Sequence, residues 1–137
     1  CDGLDNDCNG QTDEGCDDDK DGYCDGMMAF VPTAGLCPKG GNDCNDLDAG
    51  KFPTAKELCN GEDDNCNQLV DGDDPLLLLN DPKKCENQKG VCSGASKGAD
   101  LCSGGKWQPC DDNTYQKWNA SYSPGDVCDD KDNDCSG

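Results

Sequence analysis

The sequence predicts a small, disulfide-rich, metal-stabilised fold that is mostly irregular, with EF-like calcium loops, short helical turns and a small β-hairpin module. Three observations carry this prediction: a shortage of apolar residues, 14 cysteines at regular spacing, and an acidic loop motif that occurs three times. Little regular secondary structure is expected, because these features favour loops fixed by cross-links and ions over packed helices and sheets.

The apolar residues are too few for an ordinary core. Leu, Val and Phe together make up less than a fifth of the 137 residues, and Ile is absent. A highly charged chain of this composition does not fold by hydrophobic burial alone. Disulfides and bound metal are the supports that small, core-poor domains use instead.

The cysteines fall into neighbouring pairs separated by six or seven residues. Such regularity indicates a disulfide framework, so we expect an oxidising location, either extracellular or on a bacterial cell surface. Sequence does not fix the connectivity, and bonding within each neighbouring pair is the leading prediction. Zinc is the rival use of cysteine, but the chain has no His and no Cys-x-x-Cys. The pairs are Cys1/Cys8, Cys16/Cys24, Cys37/Cys44, Cys59/Cys66, Cys85/Cys92, Cys102/Cys110 and Cys128/Cys135.

The charge balance excludes several classes of function. The net charge is −19, with 30 acidic residues against 11 basic ones, so phosphate repulsion argues against nucleic acid as a partner. No apolar stretch is long enough for membrane insertion. Without His or a phosphate-binding glycine loop, nothing supports catalysis, and we expect no enzyme. The first residue is Cys, which indicates a processed product or a fragment.

The opening stretch from Cys1 to Gly15 places oxygen-bearing side chains at alternate positions, followed by a turn glycine. A flexible Ca²⁺ shell of six to eight oxygens requires this pattern. The motif begins again at Cys59, and once more at Cys128 as CDDKDNDCSG. The predicted ligands of the first loop are Asp5, Asp7, Asn9, the Gln11 carbonyl and Asp13.

A second acidic loop follows directly and matches the calcium template best. We expect the separate acids at 43–48 to complete a neighbouring shell, most plausibly that of this loop, because they are too irregular to form a loop of their own. The predicted ligands are Asp17, Asp19, Asp21, the Tyr23 carbonyl and Asp25, with Asp43, Asp46 and Asp48 from the separate group.

The loop after Cys59 follows the template less closely, and the final copy stops before its closing acid. Asp74 stands at the twelfth position, where an EF-hand uses Glu, so these loops are EF-like only. About four Ca²⁺ ions are expected in all. Thr54 and Glu57 form a capping box behind Pro53, which predicts one or two helical turns over 54–59. The predicted ligands are Asp63, Asn65, Asn67, the Leu69 carbonyl, Asp71 and Asp74, with Asp132 and Asp134 in the final copy.

The rest of the chain has a different character. We predict an acidic-loop region over 1–82, a disulfide-stapled hairpin module over 83–127, and the start of another repeat over 128–137. VCSGA, ADLCS and KWQPC read as short strands, the last two forming a hairpin through Gly104 and Gly105. The run Leu76 to Leu79 is interpreted as a short buried strand or turn, with a contact patch for a neighbouring copy as the alternative.

The aromatic residues have two interpretations. Trp107, Tyr115, Trp118 and Tyr122 form either the core of the second module, which is the leading interpretation, or a glycan-binding platform. Asn119 begins an Asn-Ala-Ser glycosylation sequon.

Four segments carry a resemblance to a family: CDGLDNDCNGQTDE, DKDGYC, DCNDLDAGKFPTAKELCNGEDDNCN and GVCSGASKGADLCSGGKWQPC. They resemble the metal-binding motif repeats of secreted and surface-exposed bacterial proteins, relatives of a methanotroph copper-binding surface protein. The acidic loops are also similar to thrombospondin type 3 repeats. The resemblance implies metal binding by Asp5, Asp7, Asn9, Asp13, Asp17, Asp19, Asp21, Asp63, Asn65, Asn67 and Asp71, with Glu57 in addition.

The chain departs from the family pattern where Asn67 and Gln68 replace the usual Asp-Gly. The family's association is with copper, but copper prefers imidazole, thiolate or thioether ligands. Only Met27 and Met28 are soft ligands once the cysteines are oxidised, so we expect calcium, with copper as the alternative.

The leading hypothesis is a calcium-binding structural module of an extracellular bacterial protein. Cys1 and Cys128 begin the same motif 127 positions apart, which predicts one period of an array, or a subunit that self-associates head to tail into a stalk or fibre. One alternative is a calcium-dependent adhesin or glycan-binding module that uses Trp107 and Trp118. A second alternative is a copper-binding surface protein.

Overall fold

The computed structural model describes residues 1, 3–5, 7–29, 31, 35–125, 127 and 130–137. The predicted fold class is confirmed, because the described residues hold six disulfides and only short regular elements. In the part of the chain that is described, no helix has the length and apolar character needed to cross a membrane. The strands are β1 (Tyr23–Asp25) and β2 (Gly40–Asp43), the helices are α1 (Leu77–Asn80) and α2 (Asp112–Trp118), and single 3-10 turns lie at Asp71–Asp73, Gly90–Cys92 and Ala99–Leu101.

The chain divides into two compact units. Unit 1 consists of Cys1–Glu57 and Asp63–Leu69, and unit 2 consists of Leu58–Glu62 and Val70–Gly137. The domain boundaries predicted from the sequence, after residues 82 and 127, stay a prediction.

Unit 1 has a core of cysteine side chains and a two-stranded parallel sheet. Its buried cluster is formed by Cys1, Cys16, Cys24 and Cys37. Strand β1 runs parallel to β2, and the amide of Gly26 donates to the carbonyl of Asp43 at 2.7 Å. A Cβ added at Gly26 would lie 2.7 Å from that same oxygen. Only glycine allows so close an approach of two backbones.

One aromatic stack supports the sheet from outside the cysteine cluster. The rings of Tyr23 and Phe52 stack with centroids 5.3 Å apart. The Lys39 ammonium lies 5.7 Å from the Tyr23 centroid and 5.3 Å from that of Phe52. In this cation–π contact the lysine side chain covers part of the aromatic surface.

Unit 2 has the more ordinary core. Tyr115 and Tyr122 stack with centroids 5.2 Å apart, and both are buried. Trp107 is half-buried and donates its indole N–H to Asp81 at 2.9 Å, whereas Trp118 is 49% exposed. The tyrosines therefore belong to the core, as the leading interpretation has it, and Trp118 does not. The core consists of Cys85, Cys92, Ala95, Tyr115, Tyr122 and Cys135.

Helix α2 was not predicted from the sequence. It begins after Asp111, whose side chain accepts the amide of Thr114 at 2.8 Å and so caps one of the unpaired N–H groups of the first turn. It ends before Asn119, the residue of the predicted sequon. The Asn119 amide group donates to the Val91 carbonyl at 3.2 Å.

The predicted disulfide pairing is wrong. None of the neighbouring pairs forms, and Cys8 has a free, exposed thiol. The amides that follow the second cysteine of a motif bond to the aspartate at its fifth position, and the bonded cysteines pair with segments outside their own motif. Cys128 lies outside the described residues. The bonds are Cys1–Cys16, Cys24–Cys37, Cys44–Cys66, Cys59–Cys102, Cys85–Cys110 and Cys92–Cys135.

The helical turn predicted over 54–59 is also wrong. Thr54 has a φ of 82°, which no right-handed helix accommodates. The Glu57 carboxylate is buried and accepts the amide of Asp64 at 3.2 Å instead of capping a helix at Thr54.

The strands predicted in unit 2 are largely replaced by tight turns. VCSGA and ADLCS each contain a 3-10 turn. Of the predicted hairpin there remains one antiparallel bridge between Cys102 and Trp107, with the Ser103 amide donating to the Lys106 carbonyl at 3.0 Å. Leu76 precedes α1, the other three leucines of the run are its first three residues, and of the four only Leu77 is buried.

Candidate metal centres

The copies of the CDGxDNDC motif share one backbone conformation. In each copy the third, eighth and tenth residues have positive φ, including all three cysteines at the eighth position, with φ of 61°, 59° and 63°. Left-handed conformations are unfavourable for residues other than glycine and persist only where the surroundings fix them. The sequence repeat is therefore also a structural repeat. The positions are Gly3, Gly61 and Asp130; Cys8, Cys66 and Cys135; and Gly10, Gln68 and Gly137.

The aspartate at the fifth position organises the loop. Both oxygens of Asp5 accept backbone amides, from Asn9 at 3.1 Å and from Gly10 at 2.9 Å. Asp63 accepts the two equivalent amides at 3.2 and 2.7 Å. The Gly10 amide is the largest cause that lowers the pKa of Asp5 below its ordinary value. The amides of its own loop therefore favour the carboxylate form of Asp5.

In the copies that begin at Cys1 and Cys59, the aspartate at the thirteenth position closes the loop onto the start of the motif. Asp13 accepts the Gly3 amide at 2.7 Å. Asp71 accepts the amides of Asn60 at 2.8 Å, Gly61 at 2.9 Å and Gly105 at 3.2 Å. A carboxylate oxygen has more than one lone pair, so these bonds leave capacity for a cation. The ninth residue acts similarly, because the side-chain oxygens of Asn9 and Asn67 accept the amides of Gln11 and Leu69, both at 2.8 Å.

The second acidic loop differs, because each of its three acids uses only one oxygen for the backbone. Asp17 accepts the Gly22 amide at 3.1 Å, Asp19 accepts the Asp21 amide at 3.0 Å, and Asp21 accepts the Tyr23 amide at 2.7 Å. The other oxygen of each is buried, and no donor among the described residues reaches it. One oxygen from each of the three acids lies within 4.8 Å of the others.

Asp43 and Asp46 bring two further buried oxygens toward this loop. Asp43, at the end of β2, is 1% exposed; its Oδ1 accepts the Asn45 amide at 2.9 Å, while Oδ2 meets no described donor. Asp46 Oδ1 is also buried and meets no described donor. Burial raises the pKa of Asp43, and the charges of Asp21, Asp19 and Asp46 raise it further. The pKa of Asp46 is raised by burial and by several surrounding carboxylates.

These five acids, called the carboxylate cluster below, therefore concentrate negative charge in a poorly hydrated place. No lysine in the described ranges forms an ion pair with any of them. Burying carboxylates together without a countercharge is costly, and such groups are normally paired or bound to metal. The cluster consists of Asp17, Asp19, Asp21, Asp43 and Asp46.

The described buried oxygens that meet no donor do not include those of Asp48 and Asp25, two acids predicted for the same shell. Asp48 is exposed and forms an ion pair with Lys51, which lowers the pKa of Asp48. One Asp25 oxygen accepts the amide of Met27 at 2.8 Å. Tyr23, whose carbonyl was predicted as a ligand, lies in β1. Of the acids at 43–48, Asp43 and Asp46 lie near enough to the second loop for its carboxylates to raise their pKa values, whereas Asp48 pairs with Lys51.

Several other predicted ligands are buried or accept backbone amides. Asp74 is fully buried and accepts the Leu76 amide at 2.7 Å, just before α1. Glu57, also fully buried, belongs to unit 1. In the final copy Asp134 accepts the Ser136 amide at 3.0 Å, which lowers its pKa, and Asp132 Oδ1 is buried without a described donor. Asn65 is also buried.

Soft ligands do not converge anywhere in the described part of the chain. Three candidate metal groups pair an aspartate with two cysteines, but those cysteines are disulfide-bonded and offer no thiolate. Met27 is 95% exposed, and the Met28 sulfur lies 3.9 Å from the bonded Cys1 sulfur. The side chains that lie together here offer oxygen, whereas copper prefers sulfur or imidazole.

Lys39 contacts this site, although the sequence does not predict that it does. Its ammonium donates to the backbone carbonyl of Asp21 while lying over the rings of Tyr23 and Phe52. It thus fixes the loop backbone without neutralising a cluster carboxylate. No local pattern around Lys39 predicts this contact, which depends on the pairing of β1 with β2.

Comparison with known proteins places these loops in a family. The Cu-binding MopE model, described as a metal-binding motif, matches residues 1–14, 43–72 and 110–137, together just over half of the chain. The second acidic loop lies between the matched segments, whereas Asp43 and Asp46 lie inside one of them. No curated protein and no solved structure matches the chain. The chain belongs to the Cu-binding MopE family of metal-binding motif proteins.

Proposed function

We propose that the chain is a calcium-binding, disulfide-stapled structural module of an extracellular bacterial protein. The observation that carries this proposal is the carboxylate cluster, in which five buried oxygens meet no hydrogen-bond donor among the described residues. A bound cation would neutralise the charge and fill the coordination that these oxygens lack. The six disulfides support the extracellular location, because such bonds persist in oxidising compartments.

Calcium fits this cluster better than the other common cations. Ca²⁺ accepts six to eight oxygens in an adaptable shell, so five carboxylates together with water or a main-chain carbonyl suffice. Mg²⁺ needs near-ideal octahedral geometry and usually keeps several waters, which disfavours a site made of five side chains. Copper would need soft ligands, and the Cys-containing groups lack free thiolates.

The variant Asp43→Asn tests the calcium site, with Asp48→Asn as its matched control. Both change one aspartate to its neutral isostere, but Asp43 is buried in the cluster and Asp48 is exposed beside Lys51. Calorimetric titration of chelator-treated protein should show that Asp43→Asn weakens binding at one calcium site at least tenfold. Asp48→Asn should change it less than twofold.

Melting temperatures separate loss of a ligand from damage to the fold. Without calcium, Asp43→Asn should melt above the parent chain, because it removes one of five repelling charges. With calcium it should melt below the parent, because a ligand is lost. Equal calcium affinity in both variants, or tighter binding of copper that Asp43→Asn weakens in the same way, would contradict the proposal.

We further propose that the module self-associates head to tail into a stalk or fibre. The repeated motif supports this, because Asp130, Cys135 and Gly137 have positive φ angles, as do their counterparts in the opening loop. Bound calcium would also reduce the net charge of −19 that opposes association. Sedimentation should show assemblies in calcium that dissociate in chelator. A monomer at high concentration in calcium would contradict this assembly.

A glycan-binding role is a second candidate, supported by Trp118. This indole is 49% exposed at the end of α2, and one edge lies so near Gly94 that an added Cβ would be 3.2 Å from it. Trp107 contributes less, because its N–H group is bonded to Asp81. Tryptophan fluorescence during titration with oligosaccharides tests this role. An unchanged signal, or a change that survives Trp118→Ala, would contradict it.

A further inference from the structure

The buried oxygens of the carboxylate cluster do not all lie around one point. One oxygen from each of Asp17, Asp19 and Asp21 lies within 4.8 Å of the others. Because calcium binds its oxygen ligands at about 2.3–2.6 Å, two ligands of one ion lie at most about 5 Å apart. These three acids therefore meet the distance limit for a single ion. In the described chain, the group that meets this limit does not include Asp43 or Asp46.

Asp43 and Asp46 have neighbours of their own. An oxygen of Asp43 lies within 4.8 Å of the Cys66 sulfur, which is disulfide-bonded and offers no thiolate. Asp46 accepts the backbone amide of Asp18. Burial raises the pKa of both acids, and the charge of Asp19 raises both further. Asp19 is therefore close to these two acids as well as to the other acids of its loop.

The clearest sign of a second ion is the side chain of Asp43. It is 1% exposed, and its Oδ2 meets no donor among the described residues. The Asp46 Oδ1 is likewise buried without a described donor. An ion bound by the three acids of the loop alone would leave both of these oxygens uncompensated. A buried carboxylate that is neither paired nor bound to metal is costly.

The charge of the cluster also exceeds what one ion neutralises. Five carboxylates with one bound Ca²⁺ keep three negative charges, whereas with two ions they keep one. Lys39, which contacts the loop, donates to the backbone carbonyl of Asp21 and leaves this charge unchanged. Like charges that are buried together need a countercharge. One ion supplies too little of it.

We propose that the carboxylate cluster binds two calcium ions that share Asp19. The first ion is held by Asp17, Asp19 and Asp21, and the second lies between Asp19, Asp43 and Asp46. This inference rests on the proposed calcium binding and adds the number of ions and the division of their ligands. A carboxylate has two oxygens with several lone pairs, so Asp19 can serve both ions. Water and main-chain carbonyls complete the two shells.

The two ions differ in what they need from the fold. The ligands of the first come from one short loop. The second also needs Asp43, the last residue of β2, which lies beside the loop because β2 pairs with β1. Asp43 and Asp46 belong to a segment that matches the family, whereas the loop lies outside the matched segments. The second ion therefore joins a family segment to a loop that the family model does not include.

Counting bound calcium tests the proposal. Equilibrium dialysis of the full chain, at the lowest free calcium that saturates the wild type, gives the number of ions per chain. The loop variant combines Asp17→Asn with Asp21→Asn, and the strand variant combines Asp43→Asn with Asp46→Asn. Each should bind one ion fewer than the wild type, and the chain with all four substitutions should bind two fewer. Asp48→Asn is the control and should lose none.

The chain with all four substitutions separates the possible failures. If it loses only one ion, the cluster is a single site, so the proposed calcium binding stands and the second ion fails. If it loses none, the proposed calcium site itself fails. A strand variant that loses no ion would overturn the division of ligands. Peptide mapping of the six disulfides in each variant checks that it folds.

Crystals of the wild-type chain grown in terbium give a test that needs no variant. Two anomalous peaks are expected in the cluster, about 4 Å apart, which is the separation of paired ions in two-metal sites. One of the two should contact Asp43. A single peak in the cluster would overturn the proposal.

Discussion

The hydroxyl of Tyr122 donates a hydrogen bond to Asp112 Oδ1 over 2.6 Å, which ties the segment after α2 to the first residue of that helix. The acceptor is negatively charged and the phenol is buried against Tyr115. The bond to Asp112 is the main cause that raises the pKa of Tyr122 to about 12. Charge-assisted bonds of this kind are stronger than neutral ones.

This bond predicts a stability change at high pH. Because the pKa of Tyr122 is higher in the folded chain than the ordinary value of 10.0, its contribution is complete below pH 10 and is lost as the pH rises toward 12. Tyr122→Phe should destabilise the chain below pH 10, and the difference from wild type should shrink above it. Tyrosinate absorbance checks the assignment, since the step near pH 12 should vanish in the variant. A constant difference across this range would contradict it.

The pair formed by Glu86 and Lys97 predicts the opposite dependence at low pH. Lys97 is buried, and its ammonium bonds to Glu86, which is the largest cause that lowers the carboxyl pKa below 4.5. The amide of Cys110 donates to the same carboxylate at 2.9 Å. The contribution of the pair is therefore complete above pH 4.5 and is lost as the pH falls through the lowered pKa.

Glu86→Gln should destabilise the chain most at neutral pH, and less as the pH is lowered below 4.5. Urea unfolding of both proteins in chelator measures this difference without a contribution from bound metal. Since Glu86 is half-exposed, the effect should be modest. A difference that grows on acidification would rule out this role.

Leu77 is the one leucine of its run that should matter for stability. It is fully buried, so Leu77→Ala should cost about 2–5 kcal/mol through lost burial and a cavity. Leu79 is 76% exposed, and Leu79→Ala should change stability by less than about 0.5 kcal/mol. Denaturant titration of both variants checks the contrast. Equal losses would show that the leucines act as one buried patch.

Gly26 should couple the sheet of unit 1 to the carboxylate cluster. In Gly26→Ala the added Cβ would meet the Asp43 carbonyl oxygen, which is backbone and cannot rotate away, so β2 must move. We expect both a lower melting temperature and weaker calcium binding. Gly125→Ala is the matched control, because its Cβ meets no atom within 4 Å. Unchanged calcium affinity in Gly26→Ala would separate the strand pairing from the site.

The sequence predicted the local features of this protein better than its long-range ones. Asp-x-Asp spacing followed by glycine places Asp17, Asp19 and Asp21 together, because a short loop can bring them to one point without help from the rest of the chain. Asp43 lies near these acids because β2 pairs with β1. The sequence Gly-Gly-Asn-Asp of β2 does not predict a strand.

The errors have the same physical origin. Thr54 and Glu57 have the spacing of a helix cap, but the buried Glu57 carboxylate instead accepts an amide from Asp64, a contact invisible to local patterns. Helix α2 did carry a local signal, since Asp111 precedes Thr114 by the spacing of an N-cap bond. The predicted disulfide pairing is wrong because cysteines that are close in sequence need not be close in space.

The overlap of the disulfide-closed loops has a consequence for proteolysis and for mechanical load. The loop from Cys44 to Cys66 overlaps that from Cys59 to Cys102, which overlaps those from Cys85 to Cys110 and from Cys92 to Cys135. Every peptide bond between Cys44 and Cys135 is therefore bridged by at least one disulfide. A protease that cuts there once leaves the pieces joined, and a pulling force can straighten only the segments between cross-links until a sulfur bond breaks.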